Sequence, residues 1–380
     1  MPTFTTIVGL IIIAVVLLDA FETVVLPRRV SRNFRLTAWF FRRIWKPWVA
    51  LARLIQSPTR RESFLGYFGP LFSILLLVAW AVSLIFAFTL LQYGTGQHVR
   101  FGTEPVTFGM LLYHSGETFF TLGYGDIVPT TGTARALAVS EAGMGFAFLG
   151  VVIGYLPVIY SSFNARELEI SLLDSRAGSP PSAAEFMSRL GCCPDPTVLD
   201  GIFRDWERWS ANLLSNQISY PVLSYFRSQH SNQSWLGALT IMLDVTSLVI
   251  GSIEGIHTEQ AKLTFAMARH AAVDLAQVIN AKYNPHAADR LSEEELEPLR
   301  KALASAGVRL RQDEASLVKL THLRSLYEPY VEAMARNLQI TLPPWIHGEK
   351  RKDNWQGGPW DRAIQARGLG ERVHVADEHF

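Results

Sequence analysis

Six consecutive residues carry the most specific chemistry in this chain: Thr121-Leu122-Gly123-Tyr124-Gly125-Asp126. Two glycines spaced by one residue mark backbone that adopts positive φ, a conformation side chains resist. The stretch offers backbone carbonyls from Thr121, Leu122, Gly123 and Tyr124, together with the Thr121 hydroxyl. Carbonyl oxygens in file can replace the hydration shell of a weakly hydrated monovalent cation. The string holds no run of carboxylates of the kind that suits calcium.

Such backbone needs elements that bury it. Thr107 to Phe120 is apolar enough to be helical but too short to span a bilayer, and Thr107 is a fair N-cap. On each side lies a stretch of spanning length, which takes about 20 apolar residues. One runs from Leu71 to Leu91 without a charge, just after Pro70; the other runs from Ala134 to Phe163 with only Arg135 and Glu141. Non-helical backbone at membrane depth is tolerated only inside protein or along a water-filled path. A short helix entering the membrane, followed by an extended strand leaving it, meets that condition. The helix would turn its carbonyl end, with its partial negative charge, toward the bilayer centre, where it favours a cation. A tight turn in a helical hairpin could also use Gly-Tyr-Gly, but it leaves Thr107–Phe120 unexplained.

Thr-Leu-Gly-Tyr-Gly-Asp resembles the signature of the two-span, pore-loop potassium channels, whose usual form is Thr-Val-Gly-Tyr-Gly. The resemblance covers Leu65 to Phe163. It implies a selectivity filter at Thr121, Leu122, Gly123, Tyr124 and Gly125, with potassium as the permeant ion held by carbonyls. It also implies filter support from a carboxylate pair, Glu117 with Asp126, and a glycine hinge at Gly145. Pro129 and Arg135 fall at familiar positions. Leu122 and Phe120 depart from the pattern, with Phe120 just under the filter where a second threonine is common. Tyr113 and His114 stand where aromatic residues often brace the filter. His114 reads either as a pH-sensitive group or as a partner of Glu117 or Glu141.

Gly143, Gly145, Gly150 and Gly154 crowd the third span. Close packing suits Gly150 and Gly154, and the hinge reading is kept for Gly145. Pro157 should kink the helix near its end. Phe146, Leu149 and Ile153 are candidates to face the cavity. One chain supplies one filter loop and no internal repeat supplies another, so a fourfold homotetramer is expected.

A further apolar stretch, Phe4 to Leu26, predicts an extra N-terminal span; with no basic leader and no small-residue cleavage site it does not read as a removed signal. Between Arg28 and Glu62 lie ten basic residues against one acid, Glu62. By the positive-inside rule this linker is cytoplasmic, the amino terminus outside and everything after Phe163 cytoplasmic. Arg29, Arg32 and Arg35 read as juxtamembrane charge rather than a voltage sensor. Trp39, Phe40, Phe41, Ile44, Trp45, Trp48, Leu51 and Leu54 alternate with cations, as in a helix lying among lipid headgroups. Asp19 and Glu22 share a face of the first helix and are expected to pair with linker arginines.

Composition agrees with a membrane protein. Apolar residues are 49% of the 380 and charged residues 18%, against about 25% in an average soluble domain. Mean hydropathy is +0.15. Disordered and collagen-like chains are excluded. Cys192 and Cys193, the only cysteines, exclude a disulfide framework and a CxxC zinc site.

The expected class is all-α, a membrane protein with three spanning helices, a re-entrant pore helix plus filter and a mostly helical cytoplasmic domain. The expected divisions are 1–62, 63–164 and 165–380. In the last part Ser182-x-x-Glu185 and Ser292-x-x-Glu295 predict capping boxes, and Ser175 to Pro181 reads as a linker. Trp235 to Ile253 is strongly apolar around Asp244 and reads as a buried core helix rather than a fourth span. Glu293, Glu294, Glu295 and Glu297 mark an acidic helix start. The residues after Trp345 read as a tail. No Gly-x-Gly-x-x-Gly and no long β-rich run points to a nucleotide regulator. His257, His270, His286 and His322 lack metal-ligand spacing. Nothing suggests an enzyme, a cofactor or a nucleic-acid partner. The partners expected are the bilayer, other copies of the chain and an unidentified cytoplasmic ligand. The expected function is a potassium-selective channel. Alternatives are a non-selective monovalent cation channel, through Phe120 and Leu122, and a membrane-anchored helical scaffold or sensor with a vestigial pore.

Overall fold

The computed structural model describes residues 2–26, 36–96, 98–100, 102, 105–191, 196–230, 232–256, 259–286, 289–347 and 360. Arg28, Arg29, Arg32, Arg35, Cys192, Cys193, His257 and the tail after His347, save Trp360, lie outside them. The described chain is helical apart from two-residue strands and an isolated bridge. Three stretches are long and apolar enough to cross a membrane: Thr3–Val24, Pro58–Gly94 and Gly132–Ala177. The chain divides into two compact units, one of residues 1–166, 212–227 and 274–280, the other of 167–211, 228–273 and 281–380.

The first unit holds α1 (Pro2–Ala20), α2 (Leu36–Arg53), α3 (Pro58–Gly66) and α4 (Phe68–Gly94). It also holds β1 (Val99–Arg100), α5 (Phe108–Phe119), β2 (Val128–Pro129) and the greater part of α6 (Gly132–Ala177). α1 packs on α4, and small residues set the approach. A Cβ at Gly9 would stand 2.8 Å from the Ala87 carbonyl oxygen.

A single carboxylate ties three helices. Asp19 accepts from the Trp80 indole N–H at 3.0 Å, the Thr37 hydroxyl at 2.6 Å and the Thr37 amide at 3.1 Å. Thr37 lies in the first turn of α2, where amides have no partner within the helix. Asp19 therefore caps α2 from outside. The expected pairing with linker arginines falls in part on Arg28, Arg29, Arg32 and Arg35, which lie outside the described residues; among those described, Asp19 is held by an indole and a helix end. Glu22 is buried.

α2 is amphipathic as expected. Phe41, Trp45, Val49 and Ala52 are buried along one face, and Arg42, Arg43, Lys46 and Arg53 are exposed along the other. Trp48 stacks on Phe64 with centroids 4.3 Å apart, and Phe68 meets Trp45 at 4.6 Å.

The second unit holds the end of α6, then α7 (Ala183–Leu190), most of α8 (Pro196–Ser219), α9 (Trp235–Gly251) and most of α10 (Glu259–Val278). α11 (Glu293–Ser305), α12 (Glu314–Ser325) and α13 (Glu328–Leu338) complete it. α6 continues past Ser175, so the linker expected from Ser175 begins later, at Gly178, whose φ is +85°. Ser182 accepts from the Glu185 amide at 3.2 Å, and Glu295 reaches back to the Ser292 amide at 3.1 Å.

α9 is the core helix. Every residue in it except Ile250 is buried, so the Trp235–Ile253 stretch belongs to a protein interior. Asp244, fully buried at its centre, is held by Arg290 through two bonds of 3.1 and 2.7 Å and by the Tyr327 hydroxyl at 2.6 Å. Burial, and then the neighbouring Asp244 charge, push the Tyr327 phenol well above its ordinary pKa, so it remains the donor. Removing one partner of a buried pair leaves an uncompensated charge. Arg290→Met should therefore destabilise the protein by about 3 kcal/mol, read as a lower unfolding midpoint of the full chain in detergent. An unchanged midpoint would show that Asp244 does not depend on this partner.

Candidate permeation site

The site begins with the way α5 ends. Its first turn is capped by Thr107, whose hydroxyl accepts from the Met110 amide at 3.3 Å. At the other end the Thr121 amide donates to the Thr118 carbonyl at 3.1 Å and the Leu122 amide to the Glu117 carbonyl at 2.8 Å. This pair of bonds is a Schellman closure, which needs a left-handed residue after the cap. Glycine normally fills that place; here it is Thr121, with φ +55°. A β-branched residue there is strained.

The sign of φ then alternates. Gly123 has φ +65° and Gly125 +77°, while Leu122 and Tyr124 do not take positive values. A Cβ at Gly123 or Gly125 would meet no neighbour, so these glycines answer to backbone conformation and not to crowding. Residues 120–126 are exposed on the single chain, and Phe146, Leu149 and Ile153 of α6 are exposed as well. Phe120 is the cap residue of α5, with its ring edge-on to Phe119.

Beyond Asp126 the chain is anchored again. The Asp126 carboxylate accepts from the Ile127 amide at 3.0 Å. Ile127 is buried with Val99 and Leu111, and Val106 and Met110 pack on that cluster. β1 and β2 pair antiparallel, Val99 with Pro129 and Arg100 with Val128. The Thr130 amide and hydroxyl both donate to the His98 carbonyl, at 2.9 and 3.1 Å. This ribbon had no signal in the sequence: two-residue strands carry no periodicity.

Behind α5 lie two buried polar groups. His114 Nδ1 and Glu117 Oε1 are 3.0 Å apart, and both residues are buried. The other carboxylate oxygen, Oε2, has no hydrogen-bond partner among the described residues. The expected Glu117–Asp126 pair is not formed. Glu117 takes the neighbour one helical turn away, a cationic or neutral donor, where two carboxylates would have to share a proton. Asp126 instead faces the Tyr113 hydroxyl. The second group is Glu141 of α6, 0% exposed. It accepts from the Ser115 hydroxyl of α5 and from the Gln92 amide of α4 at 3.1 Å. In the sequence Glu141 stands as a charge in a span and a possible partner of His114; its tie to Ser115 and Gln92 has no local signal.

Gly145 sits where α6 meets the end of α5. A Cβ there would overlap the Phe119 carbonyl oxygen. Gly150 and Gly154 have open space at the same test. The spacing argument gave packing to Gly150 and Gly154 and bending to Gly145; within one chain the close contact belongs to Gly145. α6 is unbroken through both Gly145 and Pro157.

Residues 73–161 match the family model described as ion channel. The "Uncharacterized membrane protein YdjJ" of Bacillus subtilis (strain 168) is 24% identical over 177 residues, which are 46% of this chain and 51% of that protein. The chain thus spans about half the length of that curated relative. No solved structure matches.

Two outcomes follow from this geometry. Gly145→Ala should reduce the yield of monodisperse protein and lower its unfolding midpoint, while Gly150→Ala changes both far less; equal behaviour would remove the Phe119 contact as the cause. In double-mutant cycles on the unfolding midpoint, His114 and Glu117 should couple by about 1 kcal/mol, as buried partners do. Glu117 and Asp126 should not; the reverse pattern would restore the carboxylate pair.

With its short helix and exposed alternating backbone framed by α4 and α6, the segment 73–161 is similar to the ion channel family, and that likeness covers under a quarter of the chain.

Proposed function

We propose that this chain is the subunit of a potassium-selective channel in which four copies surround one pore. The observation that carries the reading is the alternation of positive φ at Thr121, Gly123 and Gly125 in an exposed strand. Alternating left- and right-handed backbone turns successive peptide groups to one side, as in backbone nests. On that reading the carbonyls of Thr121, Leu122, Gly123 and Tyr124 form one file. Four such files replace the hydration shell of potassium, which conducts passively by stepping between adjacent sites. The left-handed Thr121 carries strain of the kind stored at functional sites, about 1–3 kcal/mol.

The remaining parts take roles around that pore. Phe120 lies just under the filter, and Phe146, Leu149 and Ile153 line the cavity. Their apolar exposure on one chain suits a surface shared between copies and water. Glu117 and Asp126 support the filter, each through its own neighbour. Gating is assigned to α6. Pro157 lacks an amide for the Ile153 carbonyl, which weakens the helix there, and Gly145 offers a second bending point. The cations of α2 and α3 support, by the positive-inside rule, a reading with the linker in the cytoplasm, the amino terminus outside and residues 165–380 inside. That internal part would receive the gating signal.

The test is electrical. Purified protein in a bilayer, with potassium on one side and sodium on the other, should reverse near the potassium equilibrium potential. A reversal near zero would replace selectivity with general monovalent cation conduction and direct attention to Phe120 and Leu122. Gly123→Ala should abolish the current, because a Cβ opposes the left-handed backbone. Normal current in that variant would sink the filter assignment.

A further inference from the structure

The first unit contains a short segment from far along the chain, residues 212–227. Its centre is a 3-10 turn, Pro221–Tyr225, with Phe226 and Arg227 after it. One side of the turn meets the base of the outer elements. Tyr225 stacks on Phe41 of α2 at 5.9 Å and 13° between ring planes, and it lies 5.2 Å from Trp45 and 5.3 Å from Phe68. Arg227 pairs with Glu62 of α3 at 3.1 Å. A Cβ at Gly69 of α4 would come within 2.5 Å of the Phe226 ring, so the ring seats where only glycine leaves room.

The other side meets the end of α6. Phe226 lies 6.2 Å from Tyr160 and 5.7 Å from Phe163, and Tyr220 lies 5.9 Å from Tyr155. Arg166, almost fully buried, donates from Nη1 to the Leu223 carbonyl at 2.9 Å and from Nη2 to the Phe226 carbonyl at 3.0 Å. These carbonyls end the turn, where a cation is favoured, and a guanidinium fork can hold two acceptors at once. The same turn therefore grips α6 through a buried charge and α2, α3 and α4 through aromatic rings and an ion pair.

We propose that the turn Pro221–Tyr225 is the coupler that fixes the cytoplasmic end of the inner helix against α2 and the base of α4, and so sets pore opening. Arg166 and Tyr225 are its positioning residues. The inference rests on the channel reading for its effect on current, but not for the clamp itself. The end of α6 cannot move relative to α2 without carrying the turn along or breaking one set of contacts. Interiors of this kind switch between discrete packings rather than deform smoothly.

The test uses the full-length channel in bilayers and the same protein in detergent. Arg166→Ala and Tyr225→Ala should each shift open probability at least tenfold and in the same direction. Unit conductance and reversal potential should stay unchanged. Tyr225→Phe keeps the ring and should behave as wild type, and Glu62→Gln, which removes only the ion pair, should shift opening in the same sense but less. The double variant should shift no further than the stronger single one. Wild-type opening in both alanine variants, or fully additive shifts, would overturn the coupler. Amide hydrogen exchange over residues 155–166 supplies a readout without current. It should rise in Tyr225→Ala and Glu62→Gln and stay low in Tyr225→Phe. Unchanged exchange would overturn the clamp. A wild-type protein that is electrically silent yet shows the exchange pattern would place the fault in the channel reading.

Discussion

The segment that matches the ion channel family depends on one contact, the seat of the Phe119 carbonyl on Gly145. It sets how closely the end of α5 approaches α6, with no side chain between them. From that point the chain must change from helix to extended backbone, and the Schellman bonds to Glu117 and Thr118 close the helix there. The left-handed turn at Thr121 follows from the closure, and the glycines at 123 and 125 continue the alternation it starts. If the seat shifted, the exposed strand would begin at a different depth.

Polar ties then hold that seat from behind. Glu141 joins α6 to α5 through Ser115 and to α4 through Gln92. In hydrocarbon there is no water to satisfy a stray carboxyl, so such a group must find protein donors. The β1–β2 ribbon and the Val99–Leu111–Ile127 cluster hold the far end of the strand. The exposed residues are thus suspended between two anchored ends, which is how a flexible-looking sequence keeps one conformation.

Much of this was legible in the sequence, for identifiable reasons. The three apolar stretches, the half-length helix and the Gly-Tyr-Gly string are local patterns, and local patterns survive in one dimension. The two faces of α2 and the burial of α9 followed from periodicity and length. What escaped was the choice among partners far apart in the chain. Asp19 is held by Trp80 and Thr37, which no local pattern linked to it, and of the two partners read for Glu117 it took His114 and not Asp126. Both alternatives satisfied spacing rules; only the fold decides which donor arrives. The close contact at Gly145 was hidden as well, because a glycine needed for close approach and one suited to bending look identical in sequence. Residues 212–227 gave no sign that they would join the first unit, since aromatic residues at a turn do not announce what they pack on.

The cap that Asp19 places on α2 also makes the start of that helix conditional on its neighbours. α2 is an amphipathic helix with a proline, Pro47, inside it, and an interior proline weakens a helix standing alone. Its capping oxygens sit on α1, and one of them is also held by Trp80 on α4. The cap is therefore complete only when α1 and α4 already lie side by side. α2 thus receives its amino-terminal hydrogen bonds from the pairing of α1 with α4, so that the start of one helix depends on the fit of two others.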